Sequence, residues 1–134
     1  MAEVVIVENA EAAGTLVATE IVELIAQRAD AVLGLATGST PRPVYQALRT
    51  QLAGRDLSQV RGFALDEYVG LDPAHPESYR SVITREVIEP LGLDPQRIHV
   101  PNGAHATIQH AGDDYEAAIE AAGGVDLQIL GIGT

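Results

Sequence analysis

The amino-acid sequence predicts a doubly wound α/β domain, and three observations lead to this prediction. Short apolar runs alternate with segments whose apolar residues recur at helical spacing. The most apolar run, 31–36, has no polar face, which is typical of a strand covered on both sides. Helices between successive strands imply βαβ units, so we expect a mostly parallel, Rossmann-like sheet with helices on both faces.

The first half of the chain contains three predicted strands and two predicted helices. Val4–Val7 is a β-branched run and is expected to form the first strand. Asn9 is placed to cap the helix that follows, in which Val17, Ile21, Leu24 and Ile25 would share one face. The other elements of this half are predicted at 31–36 (strand), 41–51 (helix) and 61–65 (strand).

The second half of the chain continues the same alternation. A loop rich in Pro, Asp and His separates strand 61–65 from a helix expected over 77–87, which Pro90 should end. A short strand at 98–100, a helix over 113–122 and a last strand over 125–132 complete the pattern. Because no repeat or linker interrupts it, residues 1–134 are interpreted as a single α/β domain.

The composition argues against several classes of partner. The net charge of −11 would repel a phosphate backbone, so no nucleic-acid partner is expected. No apolar run reaches the roughly 20 residues of a membrane-spanning helix, so no membrane partner is expected either. The chain lacks cysteine, and its four histidines have no ligand spacing, so no metal site is predicted. The absence of cysteine and of a basic, signal-like N-terminus is compatible with the cytoplasm.

The segment 37–41 follows the buried strand and opens a helix. Gly38 permits a positive φ and a close approach of the backbone to a ligand. Thr40 is expected to cap the helix, with Pro41 at its first position. Free N–H groups at such a helix end favour an anion, and the segment adds the hydroxyl groups of Thr37, Ser39 and Thr40. The segment therefore predicts a phosphate site, although a plain capped turn would use the same residues.

Two acids, Asp66 and Glu67, stand where strand 61–65 ends. Side chains alternate along a strand, so only one of the two is expected to face the cleft beyond the sheet. A partly desolvated carboxylate there could remove a C–H proton made acidic by an adjacent carbonyl, as in aldose–ketose chemistry. A solvated acidic turn is the alternative. The loops 37–41, 66–70 and 131–134 should converge, because ligands of parallel sheets bind beyond the carboxyl ends of the strands.

Three strings of residues resemble the motifs of the glucosamine-6-phosphate deaminase family. They are Thr-Gly-Ser-Thr-Pro at 37–41, Asp-Glu-Tyr-Val-Gly-Leu at 66–71 and His-Pro-Glu-Ser-Tyr at 75–79. The likeness continues through 101–103 to 130–133 and covers essentially the whole chain. The related 6-phosphogluconolactonases share a similar Gly-Ser-Thr-Pro loop, but typically have Asp-Glu-Arg where this chain has Asp66-Glu67-Tyr68. The resemblance therefore favours the deaminases.

The resemblance implies conversion of glucosamine 6-phosphate and water to fructose 6-phosphate and ammonium, with no metal or organic cofactor. Asp66 would remove the C2 proton of the ring-opened sugar, and the resulting enediol intermediate would expel ammonia. The substrate and its phosphate would contact Thr37, Gly38, Ser39, Thr40 and Tyr79. Glu67 and Tyr68 would support the site without taking part in the chemistry. The resemblance also implies a cytoplasmic homo-oligomer, commonly a hexamer, in amino-sugar catabolism.

Residues that the family uses for ring opening do not occur in this sequence. Family members continue beyond the Gly-rich strand end into Asp-Gly-His and Phe-Asn-Glu-Pro segments, whereas this sequence ends at Thr134. The chain is therefore expected to be the N-terminal part of a longer enzyme, with little or no activity alone. A 6-phosphogluconolactonase-like hydrolase and a non-catalytic sugar-phosphate-binding domain are the alternative functions.

Overall fold

The computed structural model describes residues 1–132 and contains a sheet of four parallel strands. The strands are β1 (Val32–Leu35), β2 (Arg61–Ala64), β3 (Ile98–His99) and β4 (Leu127–Gln128). The helices are α1 (Ala10–Gln27), α2 (Arg42–Gln51), α3 (Tyr79–Ile83), α4 (Glu89–Leu91) and α5 (Ile108–Ala121). A π-helical turn, Thr84–Ile88, joins α3 to α4. The predicted α/β architecture is confirmed.

The strands lie in the order β3-β2-β1-β4. The chain runs outwards from β1 to β2 and β3, and then returns past β1 to place β4 on its other side. This reversal makes the carboxyl end of β1 the switch point of the sheet, where open α/β sheets bind their ligands. The loop 37–41 leaves the sheet at this point.

The main hydrophobic core lies between one face of the sheet and the helices α1 and α2, together with the segment 79–91. Leu33 and Leu35 of β1 belong to this core, as do Ile21 of α1 and Leu48 of α2. Asn9 caps α1 as predicted, because its side chain accepts a hydrogen bond of 2.8 Å from the backbone N–H of Ala12.

Two helices of this core pack closely at Gly14. A Cβ added at Gly14 of α1 would lie 2.5 Å from the carbonyl carbon of Pro43 in α2.

The opposite face of the sheet is covered more thinly. There α5 has one buried residue, Ala111, and its Tyr115 ring meets the Phe63 ring edge-on, with centroids 5.6 Å apart.

The prediction of a strand at Val4–Val7 was wrong. Residues 1–7 pair with no strand within residues 1–132, and Val4 and Ile6 are 84% and 93% exposed. The β-branched side chains give this run strand propensity, but a strand forms only when a neighbour supplies hydrogen bonds and packing. The last strand is also shorter than the predicted 125–132, because only Leu127 and Gln128 pair with β1.

The predicted helix bounds need two corrections. α5 begins at Ile108 rather than at residue 113. The helix expected over 77–87 begins at Tyr79 and continues past Pro90, which was expected to end it. Proline in a regular α-helix clashes with the carbonyl four residues earlier. The π-helical turn widens the helix just before Pro90, since the N–H of Glu89 bonds to the carbonyl of Thr84, five residues back.

Candidate functional site

The loop 37–41 leaves β1 with its backbone donors unused. Gly38 has a φ of +96°, which confirms the predicted positive φ, and a Cβ there would meet nothing within 4 Å. Within residues 1–132, the N–H groups of Gly38, Ser39 and Thr40 donate no hydrogen bond. Successive unpaired N–H groups form a cradle that can hold an anion without a net positive protein charge.

Thr40 does not cap α2, contrary to the prediction. The cap position is occupied by Pro41, which has helical dihedral angles and no side-chain cap bond. The N–H of Val44 already bonds to the Pro41 carbonyl at 3.0 Å, and Pro43 has no N–H to offer. Few N–H donors therefore remain at the N-terminus of α2. Binding of an anion would depend more on the backbone of 38–40 than on the helix.

The end of β4 meets the same loop. A Cβ added at Gly131 would lie 3.2 Å from the Cβ of Thr40, so the two backbones pass close to each other. Gly133 and Thr134, which the sequence analysis placed in this third converging loop, lie outside the described residues.

Asp66 and Glu67 lie beyond the end of β2 and point into different surroundings. Asp66 is exposed, and its carboxylate makes no hydrogen bond or ion pair within residues 1–132. Glu67 is turned towards α3. Its Oε1 accepts from the N–H groups of Tyr79 (2.8 Å) and Tyr68 (3.0 Å), and its Oε2 accepts from the N–H of Arg80 (3.0 Å). Asp66 is thus the carboxylate that remains open to a ligand, although it is more exposed than expected.

Tyr79 packs against Tyr68 beside the Asp66 loop. Its hydroxyl lies 3.5 Å from that of Tyr68, and the two rings are tilted by 39° with centroids 4.7 Å apart. The hydrogen bond with Tyr68, partial burial and the nearby Asp66 carboxylate raise the pKa of Tyr79. Tyr79 therefore stays protonated at neutral pH and lies close to the carboxylate that follows β2.

Tyr45 is a feature of the site that the sequence analysis missed. It is 4% exposed, and its hydroxyl accepts from the Ala36 N–H at 3.1 Å and donates to the Ala36 carbonyl at 2.6 Å. Burial raises the pKa of Tyr45, so the hydroxyl keeps its proton. A tyrosine inside a predicted helix was the available signal, because a buried phenol needs a hydrogen-bond partner.

Tyr115 makes a similar contact at the neighbouring strands. Its hydroxyl lies 2.7 Å from the Ala64 carbonyl oxygen and 3.0 Å from the His99 carbonyl oxygen. Burial raises the pKa of Tyr115 as well. The hydroxyl thereby joins the ends of β2 and β3 just before the Asp66 loop.

A large cavity lies beside this site rather than in it. It has a volume of about 760 Å³ and is lined by 70–73, 98–105, Glu67 and Arg80, without the loop 37–41 or Asp66. No cluster of three or more His, Cys, Asp or Glu side chains in the same part of the chain could hold a metal ion. The helices there include none that is long and apolar enough to cross a membrane.

Comparison with known families gives a match over nearly the entire chain. The family model described as glucosamine-6-phosphate isomerases/6-phosphogluconolactonase matches residues 7–134. The matched segment includes the loop 37–41, both acids at the end of β2 and the start of α3.

Curated relatives agree with this match. A glucosamine-6-phosphate deaminase of Pseudarthrobacter chlorophenolicus is 55% identical over 133 residues, which is 98% of this chain and 51% of the relative. One from Streptomyces coelicolor is 52% identical over 134 residues, again 98% of this chain and 51% of the relative. The chain therefore spans about half the length of the curated relatives it matches.

Solved structures share the fold. The structure of a monomeric glucosamine-6-phosphate deaminase superposes with a TM-score of 0.88 at 31% identity, over 95% of this chain and 54% of that one. A 6-phosphogluconolactonase from Thermotoga maritima superposes with a TM-score of 0.76 at 22% identity, over 95% of this chain and 58% of that one. The second likeness concerns the fold alone.

Proposed function

We propose that this chain, which belongs to the glucosamine-6-phosphate isomerase/6-phosphogluconolactonase family, carries the C2 base and part of the phosphate site of a glucosamine-6-phosphate deaminase. The observation that carries the proposal is that two different polar groups, a carboxylate and a set of N–H donors, follow two adjacent strands. Among residues 1–132, the Asp66 carboxylate after β2 has no partner, and the N–H groups at 38–40 after β1, the adjacent strand, donate no hydrogen bond. Isomerisation of an open-chain sugar phosphate needs a base near C2, at one end of the sugar, and an anion-binding site for the phosphate at the other end.

In this proposal the loop 37–40 binds the phosphate through backbone N–H groups and hydroxyls. Asp66 takes the proton from C2 of the ring-opened sugar, which is acidic because C1 is a carbonyl. A proton is delivered to C1 of the resulting enediol-type intermediate, and water then replaces nitrogen at C2, releasing ammonium and fructose 6-phosphate. Tyr79, protonated and close to Asp66, lines the substrate pocket.

We further propose a cytoplasmic homo-oligomer, with a hexamer as the expected assembly, acting in amino-sugar catabolism. A relative with the same fold is described as monomeric, so the mass in solution decides between the two arrangements. Light scattering on the protein as its gene encodes it should give about six times the chain mass. A mass of one chain would contradict the hexamer.

The deaminase proposal is tested by supplying glucosamine 6-phosphate to the protein as its gene encodes it. Ammonium and fructose 6-phosphate should appear in equal amounts, and no ammonium release would overturn the proposal. Asp66→Asn should lower kcat by about 10²- to 10⁴-fold, since it removes the base, and should leave the affinity for inorganic phosphate unchanged. Asp113→Asn, on the exposed face of α5, is the matched control and should keep wild-type turnover.

The same preparation separates the deaminase from its rivals. Hydrolysis of 6-phosphogluconolactone without ammonium release from the amino sugar would identify a lactonase. Tight binding of glucosamine 6-phosphate with no turnover, unaffected by Asp66→Asn, would identify a binding domain. The expectation that residues 1–134 alone turn over little substrate stays a prediction, and the assay checks it directly.

A further inference from the structure

The hydroxyl of Tyr45 lies where the backbone leaves the sheet. The last ladder bonds of β1 are donated by Leu65 to the Leu35 carbonyl (3.2 Å) and by Ile129 to the Gly34 carbonyl (2.9 Å). Ala36 follows these bonds and is 5% exposed, so water cannot easily satisfy its N–H and C=O. The single hydroxyl of Tyr45 bonds to both groups, at 3.1 Å and 2.6 Å.

These two bonds close the segment 36–45 into a ring. The ring contains the residue that follows β1, the loop 37–41 and the first turn of α2. Gly38 (φ +96°) lies within it and is open to many backbone conformations when nothing restrains it. The two hydrogen bonds between Tyr45 and Ala36 limit the orientations that the N–H groups of 38–40 can adopt.

We infer that Tyr45 is a positioning residue for phosphate binding, acting through the backbone of Ala36. The inference rests on the proposed phosphate site. A cradle of N–H groups binds an anion well only when the groups already point at one place, because ordering them upon binding costs affinity. The Tyr45 hydroxyl provides this order without touching the ligand.

The inference separates binding from chemistry. Tyr45 restrains the loop after β1, whereas Asp66 follows β2. Loss of the Tyr45 hydroxyl should therefore weaken binding of the phosphate equally in the ground state and the transition state, which raises KM and leaves kcat unchanged. A tyrosine that only fills the core would change stability without this split between KM and kcat.

The test compares Tyr45→Phe with Tyr115→Phe in the protein as its gene encodes it. Both changes remove one hydroxyl that is bonded to strand-end backbone, buried at Tyr45 and partly buried at Tyr115, but only Tyr45 adjoins the phosphate loop. With inorganic phosphate as the probe, Tyr45→Phe should raise Kd by about 5- to 10-fold, as loss of a net hydrogen bond of about 1 kcal/mol predicts. Tyr115→Phe should leave this Kd unchanged.

Each outcome decides the matter. A folded Tyr45→Phe protein with wild-type phosphate affinity would overturn the inference. A wild-type protein that does not bind phosphate would overturn the phosphate site itself, which is a separate failure. If Tyr45→Phe does not fold, amide exchange of Ala36 in the wild-type protein replaces it. Saturation with phosphate should slow this exchange, and an unchanged rate would overturn the inference.

Discussion

Glu67, the residue next to the proposed base, is held in place by the start of α3. Its carboxylate accepts hydrogen bonds from the N–H groups of Tyr79 and Arg80, which would otherwise lack partners at this end of the helix. Ser78 accepts the N–H of Ser81, so the donors of the first turn are shared between the two side chains. This arrangement fixes the Asp66 turn against the helix that carries Tyr79.

Glu67→Ala should therefore lower kcat by about 10-fold or more while leaving the Kd for inorganic phosphate unchanged, because small displacements of a base are costly. Glu67→Gln keeps one acceptor oxygen and should recover part of the loss. Glu89→Ala, an exposed carboxylate on α4, is the control. Equal kcat values for all three variants and the wild type would contradict this role.

His99 gives the stability of the fold a dependence on pH. Burial, aided by the charge of Arg80, lowers the pKa of His99. The His99 ring is stacked on the Phe63 ring, with centroids 4.9 Å apart. As the pH falls below the ordinary value of about 6.5, the unfolded chain binds this proton before the folded chain does, so the free energy of unfolding falls.

The free energy of unfolding in urea should accordingly fall between pH 7.5 and pH 5.5, and His99→Phe should lose less over the same interval. Phenylalanine keeps the stacking and cannot take a proton. The same loss in both proteins would show that protonation of His99 in the unfolded chain does not contribute.

The residue types of the site could be predicted from the sequence, but their hydrogen bonds could not. Gly38 and Asp66 were proposed as site residues because each follows an apolar run and belongs to a string that resembles a family motif. The bond from Tyr45 to Ala36 was missed because it depends on how α2 is placed over β1, which is set by packing. The expected cap by Thr40 was wrong because Pro41 itself occupies the cap position, and Pro43 leaves one N–H group fewer in the first turn of α2.

Helix packing at Gly14 offers a test at the level of elements. A methyl group there would lie within 2.5 Å of the backbone of Pro43, so Gly14→Ala should push α1 from α2 and destabilise the fold by about 1–3 kcal/mol. Gly112 in α5 is the matched position, since a Cβ there meets nothing within 4 Å.

Gly112→Ala should stabilise the protein by about 0.5–1 kcal/mol, because alanine is the better helix former. Urea unfolding of the two variants should therefore move the midpoints in opposite directions. Midpoints that move in the same direction would contradict the close packing of α1 on α2.

Element bounds were predicted best where periodicity alone decides them. β1 and β2 end within one residue of the predicted bounds, because their apolar residues form a buried run, and α1 begins directly after its predicted cap, Asn9. The Val4–Val7 prediction failed because strand formation needs a partner that local sequence does not specify. The π-helical turn before Pro90 likewise depends on a steric detail that spacing rules do not contain.

The charge of the whole molecule predicts how salt affects it. The net charge of −11 means that the compact state repels itself. The ion pairs within residues 1–132 are mostly exposed, so screening them costs little. The melting temperature should therefore rise between about 10 mM and 150 mM NaCl, as the Debye length falls from about 30 Å to about 8 Å. A falling melting temperature would mean that the ion pairs outweigh the repulsion.

The thin cover that α5 gives the sheet has a consequence for time-dependent behaviour. A helix of 14 residues with one buried side chain should open locally long before α1 or α2, and its amides should exchange hydrogen fastest among the long helices. Its Tyr115 hydroxyl also contacts the Ala64 carbonyl, two residues before Asp66. Each local opening of α5 therefore removes the Tyr115 hydrogen bond at the end of the strand that precedes the proposed base. The strand end should accordingly fluctuate on the timescale on which α5 opens and closes.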